Sequence, residues 1–413
     1  MKIPSGTPLR VSLDFGSGVL RVGRLAIIRG LTMLEYDPAF LATGVSLNPL
    51  NPAPAPGVIA PDSPRLFGGV HAIFADSLPD AWGDLLVRRR AAARGIVFED
   101  LTVLDRLAIV GSRGMGALVY EPETDALDRT DAIDLDTFAR ESMEVLAGNA
   151  TDILDTLVDL AGSSGGARPK VLVAKDAAGG LVAGTHDVPD GYEPWIVKFR
   201  SSFDRDDIGP IEAAYADMAR AAGLVVSDTA LLESSSGPGY FATKRFDRGP
   251  GGRRIHLASA ASLLDMDYVR DTMDYRALLT AVGRITRDHR DVEAAFRRMV
   301  FNVLARNRDD HAKQHAFLMD AAGVWRLAPA YDLTFAAGTG AEHALTVNGK
   351  GKDIARADLL AVASGYQLKA AGDIIEEVAA TVARFGEFAA KYGVSKGSIT
   401  DIQRGIADAL AML

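Results

Sequence analysis

The sequence predicts an α+β protein with two lobes, which are preceded by an extra β-rich subdomain and end in a mostly helical lobe. Three observations support this fold class. Short runs of alternating polarity, separated by glycine turns, fill the first part of the chain. Strand-like and helix-like segments then alternate, and helical periodicity dominates from about residue 256 onward. With 413 residues, of which 48% are apolar, the chain can bury the cores of two or three domains.

The first domain is predicted to cover residues 1–122. Its stretch PLRVSLDFGSGVLRVGRLAII alternates apolar and polar residues around a glycine turn, which is typical of a β-hairpin. The proline-rich residues 48–64 are expected at the surface. Residues 77–95 then predict a helix that has Asp80 as its cap.

Residues 111–122 combine a glycine turn with a strand, whereas 123–134 are acidic and lack an apolar period, which favours a domain boundary there. The second domain, 135–255, is predicted to begin with a helix over roughly 136–161. It continues with strands in VLVAKD, EPWIVKFR and GYFATKRFDR and with an alanine-rich helix at 211–224.

The third domain, 256–413, has helical periodicity over 258–308 and again over 366–413. Between these parts, AFLMDAAGVWRLAPAYDL predicts two strands joined by a turn at Ala322-Gly323. The second strand is expected to end with Asp332.

Composition limits the function classes. The chain has 45 Lys and Arg against 54 Asp and Glu, a net charge of −9, which argues against bare nucleic acid as the main partner. It contains no cysteine, so disulfides, thiolate metal sites and cysteine nucleophiles are excluded. The N-terminus lacks the apolar run of a signal peptide, and no stretch approaches the ~18 apolar residues of a membrane span. We therefore expect a cytoplasmic protein without a membrane partner.

The segment SSGGARPK, residues 163–170, is the first candidate for ligand binding. Gly165 and Gly166 allow backbone conformations that are closed to other residues, so successive N–H groups can point into one concavity and bind phosphate. Lys170 can add a point charge. The fixed spacing of a P-loop is absent, and an ordinary hairpin loop is the alternative interpretation.

Lys198 lies in a predicted strand between Val197 and Phe199, where lysine is unusual. A lysine that faces the interior of a lobe needs a carboxylate or a phosphate. Glu212, on the next predicted helix, can supply the carboxylate. Protein kinases use such a pair to hold the α- and β-phosphates of ATP. An exposed edge-strand lysine is the alternative.

The segment RNRDDHAKQHAF concentrates ionisable groups. In an extended loop, Asp309, His311 and Lys313 would lie on one side. An aspartate there can accept the proton of a hydroxyl, and Gln314 lies where a kinase catalytic loop offers an amide oxygen to a metal. Asp332 takes the place of a metal-binding aspartate after the predicted strand pair. Zinc is disfavoured because cysteine is absent, and a polar loop is the other alternative.

The order of these segments is that of a protein-kinase fold. With them, the chain resembles, over nearly its whole length, the HipA family of bacterial serine/threonine-protein kinase toxins. FADSLPDAWGDLLVRRR resembles the conserved segment of the family's N-terminal subdomain, SSGGARPK its glycine-rich loop, WIVKF its nucleotide-lysine strand and KRFDR its hinge. NRDDHAKQ and LAPAYDL resemble its catalytic and metal-binding segments and are quite specific to it.

The resemblance implies a protein-kinase-like two-lobed fold and a role for each matching residue. Asp309 would be the catalytic base, and Asp332 with Gln314 would bind magnesium (Mg2+). Glu212 would be the partner of Lys198. Ser163 matches the serine that family members phosphorylate on themselves. The implied ATP-binding residues are Gly165, Gly166, Ala167, Arg168, Pro169, Lys170, Lys198, Lys244, Arg245, Phe246, His311, Lys313 and Tyr331.

The resemblance also implies partners. Substrates of the family include aminoacyl-tRNA synthetases, and its usual partner is a small helix-turn-helix antitoxin of the HipB type that brings the toxin to operator DNA. An acidic chain that reaches DNA only through such an antitoxin agrees with the net charge. The implied function is that of an ATP- and magnesium-dependent serine/threonine-protein kinase, a toxin associated with persistence.

One position departs from the family pattern Asp-x-His-x-Lys-Asn, because Gln314 replaces the final asparagine. This residue favours a second hypothesis, a nucleotide-binding co-repressor without turnover. Intact Lys198, Asp309 and Asp332 favour the kinase. A third hypothesis is a small-molecule phosphotransferase, which shares the order of lobes and should have a closed, acidic acceptor pocket.

Overall fold

The computed structural model describes most of the chain, namely residues 1–51, 53–124, 133–163, 165–184 and 188–413. The predicted domain boundary at 123–134 therefore lies mostly outside the described residues and stays a prediction. None of the described helices is long and apolar enough to cross a membrane.

The N-terminal subdomain is built around an antiparallel sheet. Its elements are β1 (Leu9–Asp14), β2 (Val19–Ile28), β3 (Leu31–Tyr36), α1 (Pro38–Thr43), β4 (Val58–Ile59), α2 (Ala81–Ala93), α3 (Val103–Val110) and β5 (Leu118–Glu121). The described strands are ordered β4-β3-β2-β1-β5. The predicted hairpin is confirmed by the pairing of β1 with β2, and the apolar residues of β1 are buried as the alternation requires.

The helix predicted over 77–95 is present as α2. Asp80 occupies its N-cap position, but its side chain makes no capping hydrogen bond. The prediction of Asp80 as a capping side chain was therefore wrong, because its carboxylate is engaged in the cleft described below.

The α+β lobe follows the N-terminal subdomain. It contains α4 (Leu135–Ala147), α5 (Leu154–Ala161), β6 (Lys170–Asp176), β7 (Leu181–Ala183), β8 (Tyr192–Lys198), α6 (Ile208–Ala221), β9 (Thr229–Leu232) and β10 (Tyr240–Lys244). Its strands form an antiparallel sheet in the order β7-β6-β8-β10-β9. The single helix predicted over 136–161 was wrong. Gly148 adopts a left-handed conformation that ends α4, and the chain restarts as α5.

The helical lobe follows. Its elements are β11 (His256–Ser259), α7 (Ala260–Leu263), β12 (Met273–Asp274), α8 (Tyr275–Thr286), α9 (His289–Leu304), β13 (Ala316–Met319), β14 (Trp325–Leu327), β15 (Leu345–Thr346), α10 (Arg356–Ser364), α11 (Ala371–Val382), α12 (Phe385–Lys391) and α13 (Lys396–Leu410). The predicted helical tail is confirmed. Continuous helix over 258–308 was wrong, because the Asp267 side chain accepts the backbone N–H of Val269 and so favours a turn over a helix.

The predicted strand pair is confirmed as the hairpin of β13 and β14, with Gly323 at positive φ in its turn. The second strand ends at Leu327 rather than at Asp332, and Asp332 itself has a φ of 55°, which a strand does not allow. The hairpin matters for the site because its antiparallel strands bring the residues that follow β14 back beside the residues that precede β13.

The hydrophobic core links the subdomain to the lobe that follows it. Trp82 and Leu86 of α2 belong to the same buried cluster as Val171 of β6 and Val197 of β8. The first turn of α2 is consequently fixed against the sheet that carries Lys198.

Candidate active site

Strand β8 places a lysine on the cleft side of its sheet. Trp195 and Val197 are buried on one face, so Lys198 points to the other. Lys198 Nζ donates to Glu212 Oε2 at 2.8 Å and also to Asp332 Oδ1. Because β8 is a central strand, the alternative of an exposed edge-strand lysine was wrong.

The charge of Lys198 is maintained by its two acidic neighbours. Burial alone would lower the pKa of Lys198, but the carboxylates of Asp332 and Glu212 hold it above the usual value for lysine. The side chain is only 10% exposed, so bulk water screens these contacts little. An ammonium group kept charged in a cleft is suited to an anionic ligand.

Glu212 organises two cations. It lies in the second turn of α6 and is 2% exposed. Its Oε1 accepts from Arg168 Nη1 at 2.6 Å, while its Oε2 accepts from Lys198. Arg168 Nε also donates to Asp204 at 3.0 Å. The residue predicted to pair with Lys198 thus also anchors the glycine-rich loop.

The glycine-rich loop, residues 163–170, connects α5 to β6, so the hairpin alternative was wrong. Gly165 and Gly166 have φ values of 65° and 91°, which glycine adopts without strain. The Gly166 N–H donates to Asp80 Oδ1 at 2.8 Å. Lys170 Nζ donates to the Gly165 carbonyl, and burial lowers the pKa of Lys170 to about 8.

Asp309 and Asp310 follow α9 and have opposite surroundings. The Asp309 side chain is 66% exposed, and its Oδ1 lies 3.8 Å from His311 Nε2. Asp310 is fully buried and accepts from the Tyr275 hydroxyl at 2.7 Å, while His343 Nδ1 lies 3.1 Å from it. Asp310 therefore anchors the segment after α9 to the helical lobe, while the Asp309 side chain remains exposed towards the cleft.

The environment of Asp309 favours proton acceptance. Partial desolvation raises the pKa of Asp309, and the carboxylate of Asp332 raises it further, although His311 acts in the opposite direction. A carboxylate with a raised pKa is a stronger base than a free aspartate, which is what general base catalysis requires.

The backbone changes from an extended to a turn conformation after His311. Ala312–Gln314 form a 3-10 turn, so the prediction of an extended segment through Lys313 was wrong. The ring of Tyr268 lies 4.6 Å from the His311 ring and 5.4 Å from Lys313 Nζ, so both residues still line one side of the cleft. Lys313 Nζ donates to Asp80 Oδ2 at 2.5 Å. Burial opposes the charge of Lys313, but the Asp80 carboxylate holds its pKa above the usual value.

The β13–β14 hairpin brings the two predicted metal ligands together. Gln314 precedes the hairpin and Asp332 follows it, and Gln314 Nε2 donates to Asp332 Oδ2 at 2.7 Å. Burial would raise the pKa of Asp332, but Lys198, Lys170 and Arg168 hold it far below the usual value. Asp332 is therefore ionised at any physiological pH.

The groups around Asp332 fit magnesium by chemical type, since an ionised carboxylate and an amide oxygen are ligands that Mg2+ accepts. In the structure, however, Gln314 presents its amide nitrogen to Asp332, and Lys198 occupies the other carboxylate oxygen. Both side chains must rearrange before a metal can bind. No group of three or more His, Asp or Glu among the described residues is arranged to hold a metal ion.

A sequence profile of the HipA-like C-terminal domain matches residues 162–385, more than half of the chain, and one of the HipA N-terminal domain matches residues 17–121. The chain belongs to the HipA family. The C-terminal match contains the glycine-rich loop, Lys198, Asp309 and Asp332, and the N-terminal match contains Asp80.

A solved structure and a curated protein provide further comparisons. The chain matches a chain of the complex of HipA, HipB and operator DNA from Shewanella oneidensis MR-1, with a TM-score of 0.66 and 17% identity, over 97% of this chain and 96% of the other. This likeness confirms the predicted fold class. Y4dM of Sinorhizobium fredii, a protein described as a proposed kinase, is 30% identical over 152 residues. That match covers 34% of this chain and 36% of Y4dM, about a third of the relative's length.

The predicted ATP-binding residues in and beside the hinge segment, Lys244, Arg245, Phe246 and Tyr331, divide into two groups. The rings of Phe246 and Tyr331 lie 5.7 Å apart and form an aromatic pair beside the cleft. The Tyr331 hydroxyl donates to the Lys313 carbonyl at 2.6 Å. Lys244 Nζ donates to Glu193 Oε1 at 2.6 Å.

Arg245 belongs to the second group, since its side chain is only 2% exposed. Its guanidinium donates to Asp247 at 2.8 Å and to the Gly114 carbonyl at 3.3 Å. Arg248 and Arg254 donate to the Gly116 carbonyl. The Arg245 side chain is thus used to join the hinge to the N-terminal subdomain, and it is not available to a ligand.

Ser163, the residue that matches the HipA autophosphorylation site, is 6% exposed. Its Oγ accepts the backbone N–H of Met115 at 2.9 Å. A kinase can reach this hydroxyl only after the start of the glycine-rich loop has left its place.

Sequence reasoning missed two residues of the cleft. Asp80 was interpreted as a helix cap, and Tyr268, which contacts His311 and Lys313, was not singled out. Asp80 lies within FADSLPDAWGDLLVRRR, the segment that resembles the family, which was the available signal. Tyr268 lies in a loop, and nothing in its neighbourhood along the chain marks it.

Proposed function

We propose that this chain is an ATP- and magnesium-dependent serine/threonine-protein kinase that acts as the toxin of a toxin–antitoxin pair. The observation that carries the proposal is the arrangement of the cleft. Lys198 is held in its charged state by Glu212 and Asp332, and the basic Asp309 carboxylate is open to the same cleft. A phosphate-binding cation beside an accessible base is what phosphoryl transfer to a hydroxyl requires.

ATP would bind between the two lobes. Lys198 and Lys170 supply positive charge for its phosphates, and the backbone from Gly165 onward covers them. The adenine would lie beside the aromatic pair of Phe246 and Tyr331, because flat rings favour stacking. The bound metal would neutralise charge on the phosphates, with Asp332 and Gln314 as its protein ligands.

Asp309 would act on the acceptor. Its carboxylate accepts the proton of a serine or threonine hydroxyl, the hydroxyl oxygen forms a bond to the γ-phosphorus of ATP, and the bond to the β–γ bridging oxygen breaks to release ADP. Lys198 stabilises the phosphate charge that develops during this transfer.

The acceptor is proposed to be a protein. A side chain that is 66% exposed, as Asp309 is, can receive a segment of a folded partner, whereas a small-molecule phosphotransferase should enclose its base. The family's substrates suggest a translation factor such as an aminoacyl-tRNA synthetase.

The proposed partner is a small helix-turn-helix antitoxin of the HipB type. A solved structural relative comes from a complex that contains HipA, HipB and operator DNA. The net charge of −9 supports contact with DNA through the antitoxin rather than directly. A toxin that acts on translation would work in the cytoplasm.

A co-repressor without turnover is the second candidate, and one observation favours it. The Gln314 amide nitrogen contacts Asp332, where a metal ligand should present oxygen. If this arrangement persists with nucleotide bound, the chain would bind ATP and not transfer its phosphate.

We also propose that the kinase phosphorylates Ser163 and thereby switches itself off. The buried hydroxyl accepts the N–H of Met115, and a phosphate carries close to two negative charges. Phosphorylated Ser163 could not return to its place, and the loop would stay away from the cleft. Mass spectrometry after incubation with ATP and magnesium should find phosphoserine at Ser163, and Ser163→Ala should stay active longer. Phosphate on Ser164 alone would contradict this switch.

The decisive test is phosphoproteomics after a short induction of the wild-type chain and of Asp309→Asn. Phosphosites that appear on one host protein with the wild type and not with Asp309→Asn would identify the substrate. Equal phosphoproteomes, with ATP binding intact in both proteins, would support the co-repressor. A small helix-turn-helix protein encoded in the neighbouring reading frame would support the toxin–antitoxin pair.

A further inference from the structure

Asp80 stands at the first turn of α2 and yet serves the cleft. Its Oδ1 accepts the Gly166 N–H at 2.8 Å, and its Oδ2 accepts from Lys313 Nζ at 2.5 Å. One carboxylate of the N-terminal subdomain thus joins the glycine-rich loop to the catalytic segment. The side chain is 18% exposed, so these contacts are largely shielded from water.

Both peptide groups of Gly166 are held by the same helix end. While its N–H donates to Asp80, its carbonyl accepts the N–H of Trp82 at 3.2 Å. Trp82 is 2% exposed in the core that α2 shares with β6 and β8. The N-terminal end of α2 is therefore held rigidly by the core, and both the N–H and the carbonyl of Gly166 are hydrogen-bonded to it.

Arg168 anchors the later part of the loop through Glu212 and Asp204, but the two glycines before it are less constrained. Gly165 and Gly166 carry no side chains and can adopt many backbone conformations at similar energy. A loop of this kind needs external contacts if it is to stay over a cleft. At Gly166, Asp80 provides a charged contact, and hydrogen bonds to charged groups are stronger than neutral ones.

We propose that Asp80 is a positioning residue, which holds the glycine-rich loop in place over the cleft and orients Lys313. Where it concerns ATP, this inference rests on the proposed function. With Asp80 present, the loop is already ordered when ATP arrives. Without it, part of the binding free energy of ATP is used to order the loop.

Two variants and one control separate the contributions. Asp80→Ala removes both contacts, whereas Asp80→Asn keeps an oxygen for the Gly166 N–H and loses the attraction to Lys313. Asp84→Asn is the matched control, because Asp84 lies one turn further along α2 and pairs with Arg106 at 2.5 Å instead of with the loop.

Hydrogen exchange of the peptide that spans residues 162–170 should be faster in Asp80→Ala than in the wild type, without nucleotide. The KM for ATP should rise about tenfold, which is the effect of losing one charged hydrogen bond, while kcat at saturating ATP changes little. Asp80→Asn should fall between the two proteins, and Asp84→Asn should match the wild type in both measurements.

Unchanged exchange and an unchanged KM in Asp80→Ala would overturn the proposal. So would faster exchange in α2 and β6 to the same degree as in the loop, since this would show a general folding defect. If the wild type does not bind ATP at all and Asp80→Ala still loosens the loop, Asp80 keeps its positioning role and the proposed kinase function fails instead.

Discussion

The two aspartates of the cleft, on either side of the β13–β14 hairpin, have opposite electrostatic environments. Asp332 is surrounded by Lys198, Lys170 and Arg168, which hold its pKa far below the usual value. Asp309 is partly desolvated and lies near the negative charge of Asp332, and its pKa is raised. The same residue type is thereby prepared for two tasks, since a permanently ionised carboxylate suits a metal and a more basic one suits a proton.

The largest effect should come from Asp309→Asn. Asparagine keeps the shape of the side chain but cannot accept the proton, so kcat should fall by at least ~10²-fold with ATP affinity nearly unchanged. Because Asp309 is exposed, the thermal stability should also stay the same. Rates of phosphate transfer and ATP titrations on the purified protein measure both. A wild-type rate in Asp309→Asn would remove this residue from the mechanism and show that its raised pKa serves no catalytic step.

The next largest effect should come from Lys198, the cation beside Asp332. Lys198→Ala leaves Glu212 and Asp332 without a shared cation in a buried place, so we expect a loss of stability of about 3 kcal/mol and at least tenfold weaker ATP binding. Lys175→Ala is the control, because Lys175 lies on neighbouring β6 and packs over the Trp195 ring at 5.1 Å. Nucleotide titrations that cannot distinguish Lys198→Ala from Lys175→Ala would show that Lys198 does not bind phosphate.

A pH dependence should follow from Lys170, whose pKa is lowered to about 8 by burial. The ammonium is charged below this pKa and neutral above it, so ATP should bind more weakly as the pH rises through 8, by up to about tenfold for each further pH unit. Bound phosphate should raise the pKa, so binding near pH 8 should take up protons, which calorimetry in two buffers detects. Lys170→Arg keeps its charge and should bind ATP equally across this range. The same slope in both proteins would exclude Lys170 as the titrating group.

The smallest effect should come from Gln314→Asn. Glutamine has one more rotatable bond than asparagine and must be turned to present its oxygen, which costs a fraction of the ~1.5–2 kcal/mol of side-chain entropy of a long residue. We expect an active wild type with a raised magnesium requirement and a few-fold lower requirement in Gln314→Asn. Magnesium titrations at fixed ATP decide this. Inactivity of both proteins at every magnesium concentration, with ATP binding preserved, would favour the co-repressor.

The sequence was sufficient where chemistry is local. The pair of Lys198 and Glu212 could be predicted because a lysine amid apolar strand residues requires a partner, and the next helix offered one. The meeting of Gln314 with Asp332 followed from a strand pair that returns the chain to its start. These inferences combined periodicity and turn residues with the order of segments in a protein-kinase fold.

The sequence was insufficient where contacts join distant segments. The link between Asp80 and Gly166 spans 86 positions, and that between Asp80 and Lys313 spans 233. A carboxylate before a helix is read as a cap unless the groups that compete for it are known. The burial of the Arg245 side chain could not be predicted for the same reason, because it depends on Gly114, which lies 131 positions earlier.

The arginines behind the hinge limit how the lobes can move. Asp247 is fully buried and accepts from Arg245, Arg248 and the N–H of Gly116. Any rotation of the N-terminal subdomain away from the hinge would break the hydrogen bonds of Arg245, Arg248 and Asp247 to Gly114 and Gly116 and leave buried polar groups without partners, at a cost of several kcal/mol. The subdomain and the hinge must therefore turn as one rigid body. A protein that binds only the outer surface of the subdomain can consequently change the width of the cleft without covering it.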